Sequence, residues 1–185
     1  QPIAIKFTDK GKVSLKTNVS FNAIAKYQSK KTNPNSRLMA IDDNFLDLKG
    51  YKISMGRAFS TNEYTNSINV CILGVDVIDQ LFEKENPINK EIIVSGLKMK
   101  VIGILSKKGN MMGGGDDRVI MVPLETGRKM AVGRQLNFDI TTSTLRIVNF
   151  DDFMEEARGI MRKVRMDPIG RGDSFSIDRS DSIAK

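Results

Sequence analysis

Residues 13–27 read VSLKTNVSFNAIAKY. The odd positions carry Val13, Leu15, Thr17, Val19, Phe21, Ala23, Ala25 and Tyr27. The even positions carry Ser14, Lys16, Asn18, Ser20, Asn22, Ile24 and Lys26. Alternation of period two over so long a run puts one face of a long strand, or of a bent hairpin, in a core and the other in water. Asn33-Pro34-Asn35 then breaks the run, because proline has no N–H to donate and asparagine tolerates turn geometry. Ser36–Ile41 resumes as a second strand able to pair with the first. Asp42-Asp43-Asn44 offers an N-cap for a short helix through Phe45, Leu46 and Leu48, stopped by Gly50.

Downstream, Ser60–Ser67 reads as a turn-rich stretch, and residues 68–73 (INVCIL) as a short buried strand ended by Gly74. Val75, Ile78, Leu81 and Phe82 fall on one face of a two-turn helix. Glu91–Ser95 and Leu97–Leu105 form a hairpin about a tight Ser95-Gly96 turn. Arg118–Val122 is another strand, closed by Pro123, and Leu136–Val148 alternates weakly as one long strand or two. The clearest helix follows Asn149. Asp151 and Asp152 lie in its first turn and Arg162, Lys163 and Arg165 in its last, complementing the helix dipole at both ends. Phe153, Ala157, Ile160, Met161 and Val164 make its apolar stripe, Pro168 and Gly170 end it, and Ser174–Asp178 reads as a closing strand. Few crossover helices in this order predict an α+β fold with antiparallel pairing.

Composition narrows function by what is missing. The chain of 185 residues contains no histidine and one cysteine, Cys71. That removes Ser-His-Asp and Cys-His catalysis, histidine-ligated zinc and an intrachain disulfide. Apolar residues are 40% and charged residues 28%, which are globular proportions, and no run reaches the ~18 apolar residues needed to cross a bilayer. The first residues lack the order of a secretory signal. With Gln1 in place of a methionine, the chain is expected to be a piece of a longer protein. The formal charge is +7, which favours anionic partners. The cations are spread, however, the tightest groups being Lys30-Lys31, Lys107-Lys108 and Arg162, Lys163, Arg165. A nucleic-acid surface is therefore not expected.

Residues 109–118 (GNMMGGGDDR) resemble a phosphate loop only in glycine content. Gly109 and Gly114 stand five apart, but Gly115 and Asp116 follow where a lysine and a Ser/Thr hydroxyl would be needed, and the two carboxylates of Asp116-Asp117 repel phosphate. The stretch reads instead as a loop between strands. Met111, Met112, Gly113, Gly114 and Gly115 form either an adaptable partner contact, since exposed methionines fit varied apolar shapes, or a solvated hairpin tip. The carboxylate pairs Asp42-Asp43, Asp116-Asp117 and Asp151-Asp152 are sequence neighbours that do not face one another, so none is an acid–base dyad, and no EF-hand spacing is present. Cys71 reads as a small buried hydrophobe. Arg171-Gly172-Asp173 spells a short adhesion tripeptide in ordinary turn chemistry. No catalytic residue, cofactor site or metal site is expected.

The middle of the chain carries a resemblance. Gly56-Arg57-Ala58-Phe59-Ser60-Thr61-Asn62-Glu63 is similar to the G-R-x-F-S/T-x-x-D/E stretch of the periplasmic core domain of MacB-like ABC transporter permeases. Val70-Cys71-Ile72-Leu73-Gly74, Leu81-Phe82, Asn86-Pro87-Ile88-Asn89-Lys90-Glu91-Ile92, residues 96–105 and residues 119–126 resemble that family's following stretches, in order and at matching gaps. Asn89 precedes Lys90 where the family commonly has glycine, so that turn is expected to differ in shape. Gln1–Lys12 is shorter than the family's usual lead into its first long strand.

The resemblance implies a two-lobed α+β fold: a porter-like α/β sandwich lobe from residues 1–59 and 136–185, and an inserted, mainly antiparallel β lobe over 60–135. It implies the extracytoplasmic domain of a MacB/FtsX-type permease in the inner (cytoplasmic) membrane, not itself an enzyme, which passes ATP-driven motion to substrate, adaptor or lipoprotein carrier. The implied partners are the membrane-embedded remainder of the permease, a cytoplasmic ATPase subunit or domain, and a second permease copy. The composition alone leaves a second reading open, a free-standing soluble binding protein for an anionic ligand or surface.

Overall fold

The computed structural model of the chain describes residues 11–107, 117–143 and 150–178. Packing divides the chain into two compact units, residues 14–141 and residues 1–13 with 142–185. Strands from residues 1–59, 60–135 and 136–185 all join the sheet described next.

In the larger unit, β1 (Val13–Ala23) and β2 (Ala25–Tyr27) are one run of chain interrupted only at Ile24. The other strands are β3 (Lys30–Lys31), β4 (Ser36–Ile41), β5 (Ile53–Gly56), β6 (Val70–Leu73), β7 (Glu91–Val94), β8 (Leu97–Leu105), β9 (Val119–Pro123) and β10 (Phe138–Thr142). Their order is β10-β1-β4-β9-β6-β8-β7-β2-β3, with β5 on β8. The sheet thus starts beside β1 and comes round to β2, the continuation of the same strand. Register shifts between Asn18 and Ser20 and between Ser20 and Ala23 bend β1, as bulges do, and let one strand serve both ends of the sheet. The bulge also overrides the alternation: Phe21, on the apolar phase of the sequence, is 70% exposed.

The expected β1–β4 pairing and β7–β8 hairpin are antiparallel as expected. Ser95 and Gly96 both have positive φ (49° and 83°), as a two-residue I′ hairpin turn requires. The sheet as a whole is mixed, however, because β4–β9 and β6–β8 are parallel. The crossover between β6 and β8 uses only α3 (Val75–Leu81) and β7, so one short helix suffices for a parallel pair where the scarcity of crossover helices points to antiparallel pairing. Asn89 itself takes a positive φ of 66°, so an asparagine supplies the left-handed geometry for which glycine is usually chosen.

The central strands are buried on both faces. Leu38, Ala40, Cys71, Leu73, Ile120 and Val122 face one cluster, which Val77 and Leu81 of α3 and Leu124 and Met130 of α4 (Leu124–Met130) complete. Met39, Ile41, Val70, Ile72, Val119 and Met121 face a second cluster. It is covered by Phe45 and Leu46 of α1 (Phe45–Leu48), by Phe59, and by Tyr64 of α2 (Thr61–Asn66). Burial on both sides explains why β6 and β9 read as continuous apolar runs rather than as alternating strands.

The smaller unit contains α5 (Phe150–Arg165), with Asp151 and Asp152 in its first turn and Arg162, Lys163 and Arg165 in its last, as the sequence predicts. Met166 follows at φ 55° and ends it. Residues 174–178 are not a strand. Ser174 donates its backbone N–H to the Asp167 carboxylate at 3.2 Å, and Asp173 is held by Arg158 (3.2 Å) and Arg162 (2.5 Å), so the chain closes a compact turn against the helix end. Among the described residues no helix is long and apolar enough to cross a membrane.

Two glycines separate steric from conformational demand. A Cβ on Gly103 would lie 2.5 Å from the Arg57 carbonyl oxygen, whereas one on Gly96 would meet nothing but carry the positive φ. Gly103→Ala is expected to cost about 2–3 kcal/mol in urea unfolding, and Gly96→Ala about 1 kcal/mol. Equal costs would show that the packing of β8 against Arg57 is looser than described.

Candidate functional site

Parallel β6 and β8 end at the same edge of the sheet, and β9, antiparallel to β6, begins there. The chain between Ser106 and Arg118 therefore leaves and rejoins the sheet where β6 ends at Gly74. Met111, Met112, Gly113, Gly114 and Gly115 lie outside the described residues. The returning side of the segment is held firmly. The Asp117 carbonyl accepts from the Asp76 N–H (3.1 Å), the Arg118 carbonyl from the Arg37 N–H (2.8 Å), and the Val119 carbonyl from the Gly74 N–H (2.9 Å). A Cβ on Gly74 would sit 2.3 Å from the Asp117 oxygen, so only glycine permits this approach.

On the opposite layer, the sequence from Arg57 to Glu63 builds a polar knot. Ser60 caps α2: its hydroxyl accepts the Glu63 N–H, and the Glu63 carboxylate accepts the Ser60 N–H at 2.7 Å, a reciprocal capping box. Arg57 adds a two-pronged ion pair, Nη1 to Oε2 at 2.7 Å and Nη2 to Oε1 at 2.8 Å. The guanidinium, followed by the Ser60 donors, holds the buried Glu63 carboxyl down from 4.5 to about 2. Ser60–Ser67 is thus a capped helix with a short exit, where the sequence reading expected only turns. The S-x-x-E spacing was the signal that could have found it.

Beside this knot lies an open groove of about 350 Å³, bordered by Asp43, Leu46, Asp47, Tyr51, Ile53, Phe59, Thr61 and Tyr64 among others. Phe45 stacks on Tyr51 with centroids 5.7 Å apart, and Phe59 meets Tyr64 edge-on at 5.4 Å. Burial, then the charges of Asp43, Asp42 and Glu63, push the Tyr64 phenol above its ordinary range, so it stays protonated. Asp42 is not a helix cap. Its carboxylate accepts from the Ser14 hydroxyl (2.8 Å) and the Leu15 N–H (2.6 Å), tying the end of β4 to β1, and burial raises its pKa against those bonds. Asn44 occupies the cap position of α1 without a side-chain cap bond.

The remaining sequence candidates resolve simply. Cys71 is fully buried, and burial pushes its thiol up, away from reactivity. Asp173 of the Arg-Gly-Asp tripeptide is engaged by Arg158 and Arg162. Among the described residues, no group of three or more acidic or cysteine side chains is placed to hold a metal.

A mixed sheet with helices packed on both of its faces defines an α+β domain. The family model for the MacB-like periplasmic core domain matches residues 6–160. The chain belongs to that family. It is 36% identical over 93 residues to a macrolide export ATP-binding/permease protein MacB of Syntrophobacter fumaroxidans, covering 50% of this chain and 13% of that protein. It is 24% identical over 160 residues to the ABC transporter permease YknZ of Bacillus subtilis, covering 86% and 38%. This chain therefore spans well under half the length of the relatives it matches. In fold it resembles the periplasmic region of MacB from Actinobacillus actinomycetemcomitans (TM-score 0.74, 20% identity, 89% and 73% covered). It also resembles the extracellular domain of YknZ from Gram-positive bacteria (TM-score 0.75, 18% identity, 90% and 83% covered).

The knot makes a pH prediction. Because the native Glu63 pKa is depressed, its contribution is complete above 4.5 and disappears as pH falls toward 2. After allowing for screening at the half-exposed Arg57, the loss is about 1–2 kcal/mol. Glu63→Gln keeps an acceptor for Ser60 and removes the charge, so its stability in urea should fall less than the parent's between pH 5 and pH 2. Asp42 is common to both proteins and cancels. Superimposable pH profiles would rule the ion pair out as a stabiliser.

Proposed function

We propose that this chain is the extracytoplasmic part of a MacB-type ABC permease, placed on the outer side of the cytoplasmic membrane. Its role is to carry ATP-driven movement of the membrane helices to a substrate, an adaptor or a lipoprotein carrier. ATP is hydrolysed on a separate cytoplasmic subunit or domain, and the working permease is a dimer. The observation that carries this reading is the family match over residues 6–160, which runs through both compact units rather than through a single shared motif. The naming of relatives as export permeases supports it. A membrane event can bias such a domain only by the difference in contact energy between two arrangements of its parts.

Within this proposal, Met111, Met112, Gly113, Gly114 and Gly115 contact the partner. Hydrogen bonds at Asp117, Arg118 and Val119 tie the returning end to the strand edge, so force applied at the tip reaches β6 and β9 directly.

The test is a distance measurement in the membrane-embedded parent transporter. Cys71 is buried and unreactive, so once any cysteine outside these 185 residues is replaced by serine, cysteines introduced at the exposed Lys98 and Lys163, one in each unit, can be spin-labelled selectively. Trapping ATP on the ATPase should shift the inter-label distance distribution by several ångströms, on the scale of domain motions. An unchanged distribution across the ATP cycle would sink the transmission reading. Met111→Ser/Met112→Ser should leave basal ATP hydrolysis within about twofold while lowering partner-stimulated hydrolysis at least about fivefold, a loss of roughly 1 kcal/mol of contact.

A further inference from the structure

The groove beside the Arg57–Glu63 knot is chemically unlike the rest of this chain. The chain carries +7 overall, yet the groove is bordered by Asp43 and Asp47 and presents no lysine or arginine among its lining residues. Its aromatic lining is Tyr51, whose ring stacks on the buried Phe45, and the edge-on pair Phe59 and Tyr64. We propose that this groove is a docking site for an arginine or lysine side chain presented by a protein partner.

Each element of that side chain has a counterpart. The methylene stem lies against Leu46 and Ile53, the cation against the faces of Tyr51 and Tyr64, and its N–H donors reach Asp43 and Asp47. A guanidinium fits best, because its planar fork pairs with carboxylates and stacks on rings at once. The Tyr64 hydroxyl lies in the combined negative field of Asp43, Asp42 and Glu63, and a neutral phenol there remains an acceptor and a ring for the incoming cation. Shape selects the kind of occupant. At about 350 Å³ and open to solvent, the groove holds one side chain. A free small molecule generally needs a site that encloses most of its surface. The cation is therefore delivered by a larger surface that closes over the groove. This inference rests on the groove alone and stands or falls independently of the transport reading.

The chain provides its own probe. It has three tyrosines and no tryptophan, and Tyr51 and Tyr64 both line the groove. Tyrosine emission of the 185-residue chain, titrated with acetyl-Gly-Arg-Gly-amide in low salt, should change saturably with a Kd of about 0.1–1 mM. The affinity should fall about threefold or more in 0.5 M NaCl. It should fall at least about fivefold in Asp43→Asn/Asp47→Asn. Thr61→Arg, which adds a guanidinium at an exposed lining position, should block binding while leaving the urea midpoint near the parent's, and it serves if the double variant folds poorly. The same peptide with citrulline for arginine should not bind. Equal binding of the citrulline peptide, or unchanged affinity in both variants, would overturn the proposal. Binding of a small organic cation such as tetramethylammonium at least tenfold tighter than the arginine peptide would overturn it in favour of a small-molecule site.

Discussion

Val70–Leu73 lies between β8 and β9 with all four residues buried, and most of the fold is the consequence of covering it. A strand paired on both edges and apolar on both faces can be stable only if two layers pack against it. One layer is supplied by α3 and α4 together with the returning β1–β2 strand, the other by α1, Phe59 and α2. Each large side chain fully buried there is worth roughly 1.5–3 kcal/mol, so leaving either layer off would forfeit more than the net stability of a typical domain. The same strand sets the position of the loop base. Gly74 ends β6 at the point where β9 begins, and its missing side chain lets the Asp117 backbone approach.

The outer layer is held by polar geometry as much as by burial. Arg57 leaves β5 and reaches Glu63 on α2, while Ser60 and Glu63 exchange caps across the turn. That arrangement fixes Phe59 and Tyr64 over the second cluster and leaves the α1–α2 groove open beside them. The residues that define the family stretch from Gly56 to Glu63 are therefore structural, yet they form one bank of the surface whose chemistry is most selective. Stability and recognition share the same short segment, which means that a substitution at Glu63 must be read for both.

Much of this was legible along the chain wherever a local rule acts alone. The β7–β8 hairpin follows from a Ser95-Gly96 turn, the polarity of α5 from its terminal charges, and the burial of Cys71 from its apolar neighbours. Reading failed where a distant partner decides. Phe21 has the right phase to be buried and is not, because the bulge in β1 exists to bring one strand round to both ends of the sheet. Asp42 looks like a helix cap and instead binds Ser14 and Leu15, residues that only strand pairing brings near. Ser174–Asp178 has strand-like composition, but the Asp167 carboxylate takes the Ser174 N–H, and Arg158 and Arg162 hold the preceding Asp173 against the helix end. The α2 cap differs in kind, since its Ser60-x-x-Glu63 signature is local and stands in the sequence itself.

The sequence by itself determined the α+β class, the apolar strands, the strongest helix and the family, since each depends on short-range periodicity or on ordered motifs. It also excluded histidine chemistry outright. Only the tertiary structure decided that β4–β9 and β6–β8 run parallel, that one bent strand closes the sheet, and that Asp43, Asp47, Tyr51 and Tyr64 border a common groove. Those outcomes depend on which buried faces meet after collapse. Pairing direction and the gathering of separate side chains are set by the free energy of the whole packed core, and no local stretch of sequence carries that sum.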